Sequence, residues 1–580
     1  MARKLGSDSE AELQPPQSIQ TASKDCHPTD ASIGTSSTNI VSRRRYLSLG
    51  GAATVAALGL SAPAVSATSI EREGITFAQT IDAVDDLGMD PTGDTSVIPQ
   101  IQEIPPDTLV EFPDGTYLID ERVDLPNMGN VGFEAVGEAI IKGAPGFGDT
   151  SWNVSNSNAV YYAGFVHDQS EGAVGHYWRV SDSIELHDVD VVGRAGPWAV
   201  ELCPTITEPD GLARIVNYTN KQGSSWAEYN SGGSGADGRI GCWLGSNHVG
   251  TIQFIDCDFR EYGNNALYCA AATGPVQVID SYFENNNVAS VRIGGKGSYV
   301  ENTTIVVDED RYTGPRRQED ESTSFFMRGV LIHENLGSQE QKPAGAEIRN
   351  CKFIFEDNPT NGPAIEVWAN GRSLEIRDTE IQYNNDGTAA IRREDYRTKA
   401  GVHPPGEDPR WLRLYDSVIT GTGSVPAVID IEDGDGSEIH NTHIAMYEAE
   451  SVNGITIARS NDCVIENSTV YVSGEPITTS DAEVDLVNFS ESEPPIQELS
   501  IASAGKPDES HQGGNITPRG NSTFSFTGSG TSSINQEPMA SSTNVSQSRD
   551  GSIFHRLGVL GVITSIGTAG YMLKREFDED

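Results

Sequence analysis

The chain has 580 residues, with 84 Asp and Glu against 39 Lys and Arg, a net charge of -45 and only 37% hydrophobic residues. That balance leaves no basic stripe to neutralise phosphates and excludes a nucleic-acid partner. Acid excess of this size usually marks a disordered chain, yet 60 Gly and regularly placed Val and Ile point to a folded domain beneath a strongly hydrated surface.

In chain order, residues 1–41 read as a disordered extension. They are followed by Ser42-Arg43-Arg44-Arg45-Tyr46-Leu47-Ser48, an apolar stretch from Leu49 to Leu60, and small residues at Val65-Ser66-Ala67. An arginine pair, an aromatic-Leu step, an apolar run and a small-residue exit in that order make 42–67 a twin-arginine signal peptide. The expectation is export in the folded state.

From residue 68 to 490 one short pattern recurs: apolar, any, Asp or Asn, small, any, apolar. It occurs as Phe254-Ile255-Asp256-Cys257-Asp258-Phe259, Val278-Ile279-Asp280-Ser281-Tyr282-Phe283 and Ile348-Arg349-Asn350-Cys351-Lys352-Phe353. It returns as Ile376–Ile381, Leu414–Ile419, Ile439–Ile444 and Ile465–Val470. Successive Asp or Asn positions are spaced by roughly 22 to 28 residues, or by larger gaps that read as a skipped copy or an inserted loop, which is one coil of a β-solenoid. Asp and Asn tolerate the left-handed backbone of a tight turn. Apolar residues alternate with period two, which argues strand and excludes an amphipathic helix. The fold expected is all-β, a parallel three-sheet solenoid in which inward Val, Ile, Leu and Phe stack from coil to coil. Cys242, Cys257, Cys269 and Cys351 fall at core positions of this repeat, with a bridge between neighbouring coils left open.

A second series marks the first strand of each coil. Alternation sends Val200, Leu244, Leu267, Ile293, Ile332, Val367, Ile391, Ile431 and Ile457 inward. It turns Glu201, Trp243, Tyr268, Arg292, Leu331, His333, Glu366, Trp368, Arg392, Asp430, Glu432 and Thr456 outward. That outward row is the candidate site. Trp243, Tyr268 and Trp368 offer faces for sugar rings, and Arg292, His333, Glu366, Arg392, Asp430 and Glu432 are the candidate catalytic groups. A lyase needs a proton acceptor beside a uronate carboxylate and a cation to neutralise it, with Arg292 as clamp and His333 or Tyr268 as proton carrier. An inverting hydrolase needs two carboxyls about 6.5–9.5 Å apart, and Asp430 and Glu432 on one face of one strand lie roughly 7 Å apart. Long insertions at 217–239, 308–326 and 393–411 are placed to wall the groove. Asp433-Gly434-Asp435-Gly436 offers oxygen ligands for Ca²⁺ but lacks the later ligands of a calcium loop. It reads as an acidic turn, and neither metal nor cofactor is expected. His440 and His443 flank Asn441 in a turn and read as surface residues.

Asp85-Asp86-Leu87-Gly88-Met89-Asp90-Pro91-Thr92-Gly93-Asp94, followed by Val110 to Ile119, resembles the first coil of pectate-lyase-like right-handed parallel β-helix proteins. The resemblance covers roughly residues 75 to 485. It implies a right-handed solenoid whose first sheet bears a sugar-binding cleft, in a superfamily of lyases, hydrolases, epimerases, tailspikes and non-catalytic surface proteins. The Asn-Thr-Asp, Gly-His-Gly and Arg-Ile-Lys motifs of polygalacturonase-like hydrolases are absent from the sequence. The composition resembles that of haloarchaeal proteins. At molar salt the Debye length is about 3 Å, so the charge neither unfolds the domain nor strongly rejects an anionic glycan.

Residues 491–550 are rich in Ser, Asn, Gly and Pro and read as a solvated stalk. In 551–580 an apolar run from Leu557 to Leu573 precedes Lys574-Arg575, the pattern of a short transmembrane anchor with its C-terminus inside. Sequons at Asn153, Asn217, Asn302, Asn467, Asn488, Asn515, Asn521 and Asn544 suit a glycosylated exported protein. The combined expectation is a secreted or surface-anchored protein that interacts with polysaccharide or surface glycan, as lyase or hydrolase, or as a non-catalytic adhesion or structural protein.

Overall fold

The computed structural model describes residues 70–196, 200–226, 239–315, 326–334, 343–395, 409–447 and 449–493. The signal, most of the stalk and the anchor expected from the sequence lie outside these residues. Among the described residues no helix is long and apolar enough to cross a membrane, and the helical elements include only short ones such as Ile98–Ile101 and a 3-10 turn at Glu309–Arg311.

Strands pair in parallel with the strands one coil before and after, in three columns. The first sheet runs from Val123–Pro126 through Cys242–Trp243, Val291–Ile293 and Ile365–Val367 to Ile477–Ser480. The second runs from Gln79–Asp82 to Val484–Val487, and the third from Thr92–Ser96 to Thr469–Tyr471. His176–Val192 is one continuous strand that contributes to all three. The chain is therefore the three-sheet parallel solenoid that its periodicity implied.

The recurrent hexapeptide is explained by the corner between the second and third sheets. Its Asp or Asn takes a left-handed backbone, with φ of 48–53° at Asp188, Asn217, Asp256, Asp280, Asn302, Asn350, Asp378, Asp416, Asn441 and Asn467. A left-handed φ costs most other residues about 1–2 kcal/mol. Outside the corner the amides stack: Asn350 Nδ2 donates to Asn302 Oδ1 at 2.6 Å, and Asn441 Nδ2 to Asp416 Oδ1 at 3.0 Å. Inside it, the following small residue forms a second ladder. Ser417 Oγ donates to the Tyr415 carbonyl at 2.8 Å and accepts from the Thr379 amide at 3.2 Å, and Thr442 and Ser468 repeat the arrangement one coil further on. A side chain with one donor and one acceptor satisfies two backbone groups that the turn leaves unpaired. Cys257 and Cys351 hold the same position, each donating Sγ–H to a carbonyl two residues back. All six described cysteines are buried thiols, so no bridge joins neighbouring coils.

The interior is a continuous apolar column, rich in aromatic and imidazole rings near Trp152, Tyr162, His176 and Trp178 and in Ile and Val beyond Val276. Outside it, an antiparallel hairpin, Ile70–Arg72 with Ile75–Phe77, lays Ile75 and Phe77 on Leu109, Tyr161 and Ala163 of the second sheet.

Three expectations change. Glu201 points into the solenoid rather than out, because it sits in the turn before the strand Leu202–Ile206, where strand alternation does not set side-chain direction; Glu201 is 1% exposed. It accepts from Tyr218, from Tyr262 at 3.0 Å, from Asn220 and from Arg239 at 2.9 Å, donors that make a buried carboxylate tolerable. The insertion expected from Asn217 begins only after Asn220, since Leu212–Asn220 is strand. The sequon at Asn153 lies buried in a strand with its amide donating to Asp124, closed to a glycosyl group.

Candidate functional site

Strand register gathers the predicted residues into two parallel columns on the outer face of the first sheet. Trp243, Tyr268, Arg292, Leu331, Glu366, Arg392, Asp430 and Thr456 occupy one position on successive coils. Coils stack about 4.8 Å apart. Two residues further along, His333, Trp368, Glu394 and Glu432 form the adjoining column, because Ile332, Val367, Arg393 and Ile431 pair in sequence before them.

The middle of this surface is closed. Arg292 is 5% exposed, and His333, Leu331 and Glu366 are at most 1% exposed, although alternation turns all four away from the core. The Arg292 guanidinium lies 4.0 Å from the centroid of the Tyr268 ring and 5.1 Å from that of Trp368, and its Nε donates to His333 Nδ1 at 2.9 Å. His333 in turn lies 4.8 Å from Trp368, ring to ring. Arg292, expected as a carboxylate clamp, therefore braces the two rings and the imidazole instead of opening to a ligand. Glu366 is held by Arg328 Nε, by the Trp368 indole Nε1 at 3.0 Å and by Arg392 Nη1 at 3.5 Å. Arg328 was not among the residues singled out by sequence. It precedes the strand, outside the alternating positions, and only the fold carries it to Glu366.

The accessible part lies on either side of that closed centre. Trp243, Tyr268 and Trp368 are partly exposed. Arg392 keeps 37% of its side chain in solvent and faces Glu394 at 3.8 Å. Burial works against its charge, but Glu366, Glu394, Asp430 and Glu432 outweigh it, and its pKa is raised. Burial pushes the Asp430 carboxyl up against the opposing pull of Arg392. Burial, with Asp430 and Asp395 nearby, raises Glu432 as well. Glu432 differs in having fixed donors, the Asp395 amide at 3.2 Å and Arg459 Nη2 at 3.2 Å. Arg459 also reaches Asp395 at 3.0 Å and Asp433 at 3.1 Å.

The acidic turn at Asp433–Gly436 is organised by protein groups: Asp435 accepts from the Asn461 amide at 2.7 Å and Gly434 donates to Ser460 Oγ at 2.9 Å. His440 sits on the outer face of the second sheet between Glu438 at 3.4 Å and Glu466 at 3.3 Å. Of the three insertions expected as walls, 227–238, 316–325 and 396–408 lie outside the described residues.

No protein-family model and no curated protein matches the chain. Among solved structures it is similar to the A-module of a mannuronan C-5 epimerase of Azotobacter vinelandii, at 10% identity and a TM-score of 0.37, over 71% of this chain and 100% of that one. It is similar to PfbA, a surface adhesin of Streptococcus pneumoniae, at 13% identity and a TM-score of 0.37, over 69% and 91%. A family 28 exopolygalacturonase of Yersinia enterocolitica follows at 12% identity and a TM-score of 0.29, over 71% and 78%. Likeness at this level assigns no activity, and the chemistry rests on the side chains of the first sheet.

Proposed function

We propose that this is an exported polysaccharide-acting protein that binds glycan along the outer face of its first sheet and hydrolyses it at Asp430 and Glu432. The observation that carries this reading is the pairing of those carboxyls on one strand beside Arg392, two coils from the half-exposed Trp368. Two coils span roughly 10 Å, so a sugar stacked on Trp368 places a neighbouring glycosidic bond near the pair. Asp430, pushed toward its protonated form, is the acid that gives its proton to the leaving oxygen as the C–O bond breaks. Glu432, kept by an amide and a guanidinium, is the base that takes a proton from the attacking water. The twin-arginine signal and the C-terminal apolar run support export and attachment at the cell surface.

A second reading is a non-catalytic adhesion or structural surface protein. The closed centre of Arg292, His333 and Glu366 favours it, because buried groups already engaged by neighbouring side chains make a rigid platform rather than a reaction centre. The test is an activity screen of the protein in molar KCl against neutral and uronate polysaccharides, following reducing ends and the ultraviolet absorbance of unsaturated products. Reducing ends lost in Asp430→Asn support hydrolysis. Unsaturated product would replace it with a lyase. Glycan binding without turnover would establish the adhesion reading.

A further inference from the structure

A different group of side chains, on the second sheet and remote in register from the candidate site, brings metal-ligating atoms together. Glu185 and His187 project from the outer face of the strand His176–Val192, alternating with the core residues Ile184 and Leu186. Glu73 comes down on them from the turn of the opening hairpin. One ligand atom from each of Glu73, Glu185 and His187 lies within 4.8 Å of the others, and His187 Nε2 is 2.9 Å from Glu185 Oε2. Two ligands on one ion, with bonds of about 2.0–2.2 Å, sit roughly 3 Å apart, so this pair needs little movement to share a cation.

We propose that Glu73, Glu185 and His187 bind a divalent transition-metal ion, with Zn²⁺ the best match to one imidazole and two carboxylates. Arg214 completes the arrangement from the next coil. Its Nε donates to both Glu185 oxygens at 2.9 Å and its Nη2 lies 3.3 Å from Glu73. Such outer contacts orient ligating carboxylates in metal sites. They leave the two carboxylates and Arg214 with a net charge of -1, which a divalent ion turns to +1. Glu185 is 2% exposed, His187 17% and Glu73 49%, so the site is open on one side to ion entry and to a water ligand. The ion would tie residue 73 to residues 185 and 187, clamping the hairpin over the second sheet beside the Arg72–Glu134 ion pair at 2.9 Å.

The test uses the full chain, treated with chelator and titrated with Zn²⁺ by calorimetry and with Co²⁺ by visible absorption, in chloride buffer. The expected result is one ion bound at micromolar or tighter affinity, weakened at least 10-fold by His187→Ala and by Glu73→Gln and unchanged in His440→Ala. Zn²⁺ should also slow proteolytic cleavage within residues 70–77 of the parent but not of His187→Ala. Circular dichroism spectra that match the parent keep the comparison one of binding rather than folding. Binding of equal strength in all three variants would mean an adventitious ion only, held elsewhere, and would overturn the site, as would no binding below millimolar Zn²⁺.

Discussion

Arg292 Nε donates to His333 Nδ1 across 2.9 Å from the coil below, and this contact fixes the imidazole as an acceptor at Nδ1 while the Tyr268 and Trp368 rings flank the guanidinium. Arg292→Ala removes a charged donor from a buried acceptor and should cost about 2–3 kcal/mol. Arg292→Lys should recover little of it, because an ammonium lacks the planar fork that lies against both rings. Urea unfolding of the two variants checks this; a loss below about 0.5 kcal/mol would show that the brace carries no weight.

Trp368 is the ring nearest the carboxylate pair, oriented by the Glu366 carboxylate through its indole N–H. Trp368→Ala should weaken glycan binding at least 10-fold, about 1.4 kcal/mol. Glu366→Gln should weaken it less while lowering stability, since the buried Arg328 loses its counter-charge. Affinity measurements paired with melting curves separate the two effects.

Asp430 has a carboxyl raised by burial, so the fold favours its protonated form and ionisation removes stability as pH rises. The loss begins at the unfolded carboxyl value of about 3.9 and is complete above the folded one. Asp430→Asn should therefore melt higher than the parent at pH 7, with the difference gone below about pH 4. Equal or lower melting at pH 7 would contradict the burial argument.

The left-handed corners predict a residue-specific hierarchy. Asn350, at φ 51°, should lose about 1–2 kcal/mol when changed to Ala and much less when changed to Gly. Denaturant midpoints of the pair measure the backbone term directly.

Burial pushes the Cys257 and Cys351 thiols up to about 12. Those two should be inert to a disulfide reagent in the native protein and titrate only after unfolding. Cys257→Ser should unfold within about 1 kcal/mol of the parent, because Ser281 fills the same ladder position one coil on and makes the same bond to a carbonyl two residues back. Rapid native labelling of Cys257 or Cys351 would overturn that placement.

What the sequence determined by itself was the repeating unit. The hexapeptide places an Asp or Asn where the backbone must turn left-handed and a small hydroxyl or thiol where two corner groups need partners. Both demands are local, so they recur visibly at every coil. Period-two alternation likewise placed Trp243, Tyr268, Arg292, Glu366, Arg392 and Asp430 on one outer face, since a strand's side-chain direction depends only on its neighbours in the chain. The tertiary structure decided everything that depends on which coil lies beside which. Glu201 turned inward because four donors 17 to 61 residues further along the chain, Tyr218, Asn220, Arg239 and Tyr262, wait for it there. Arg292 and His333, bonded to each other, and Glu366, bonded to Arg328 and Trp368, became buried rather than exposed, and Arg328 and Arg459 entered the site from turns that carry no periodic signal. A charge's environment is set by groups tens of residues away in the chain, and for that reason the outward row was legible in the sequence while the division of that row into a closed brace and an accessible carboxylate pair was not.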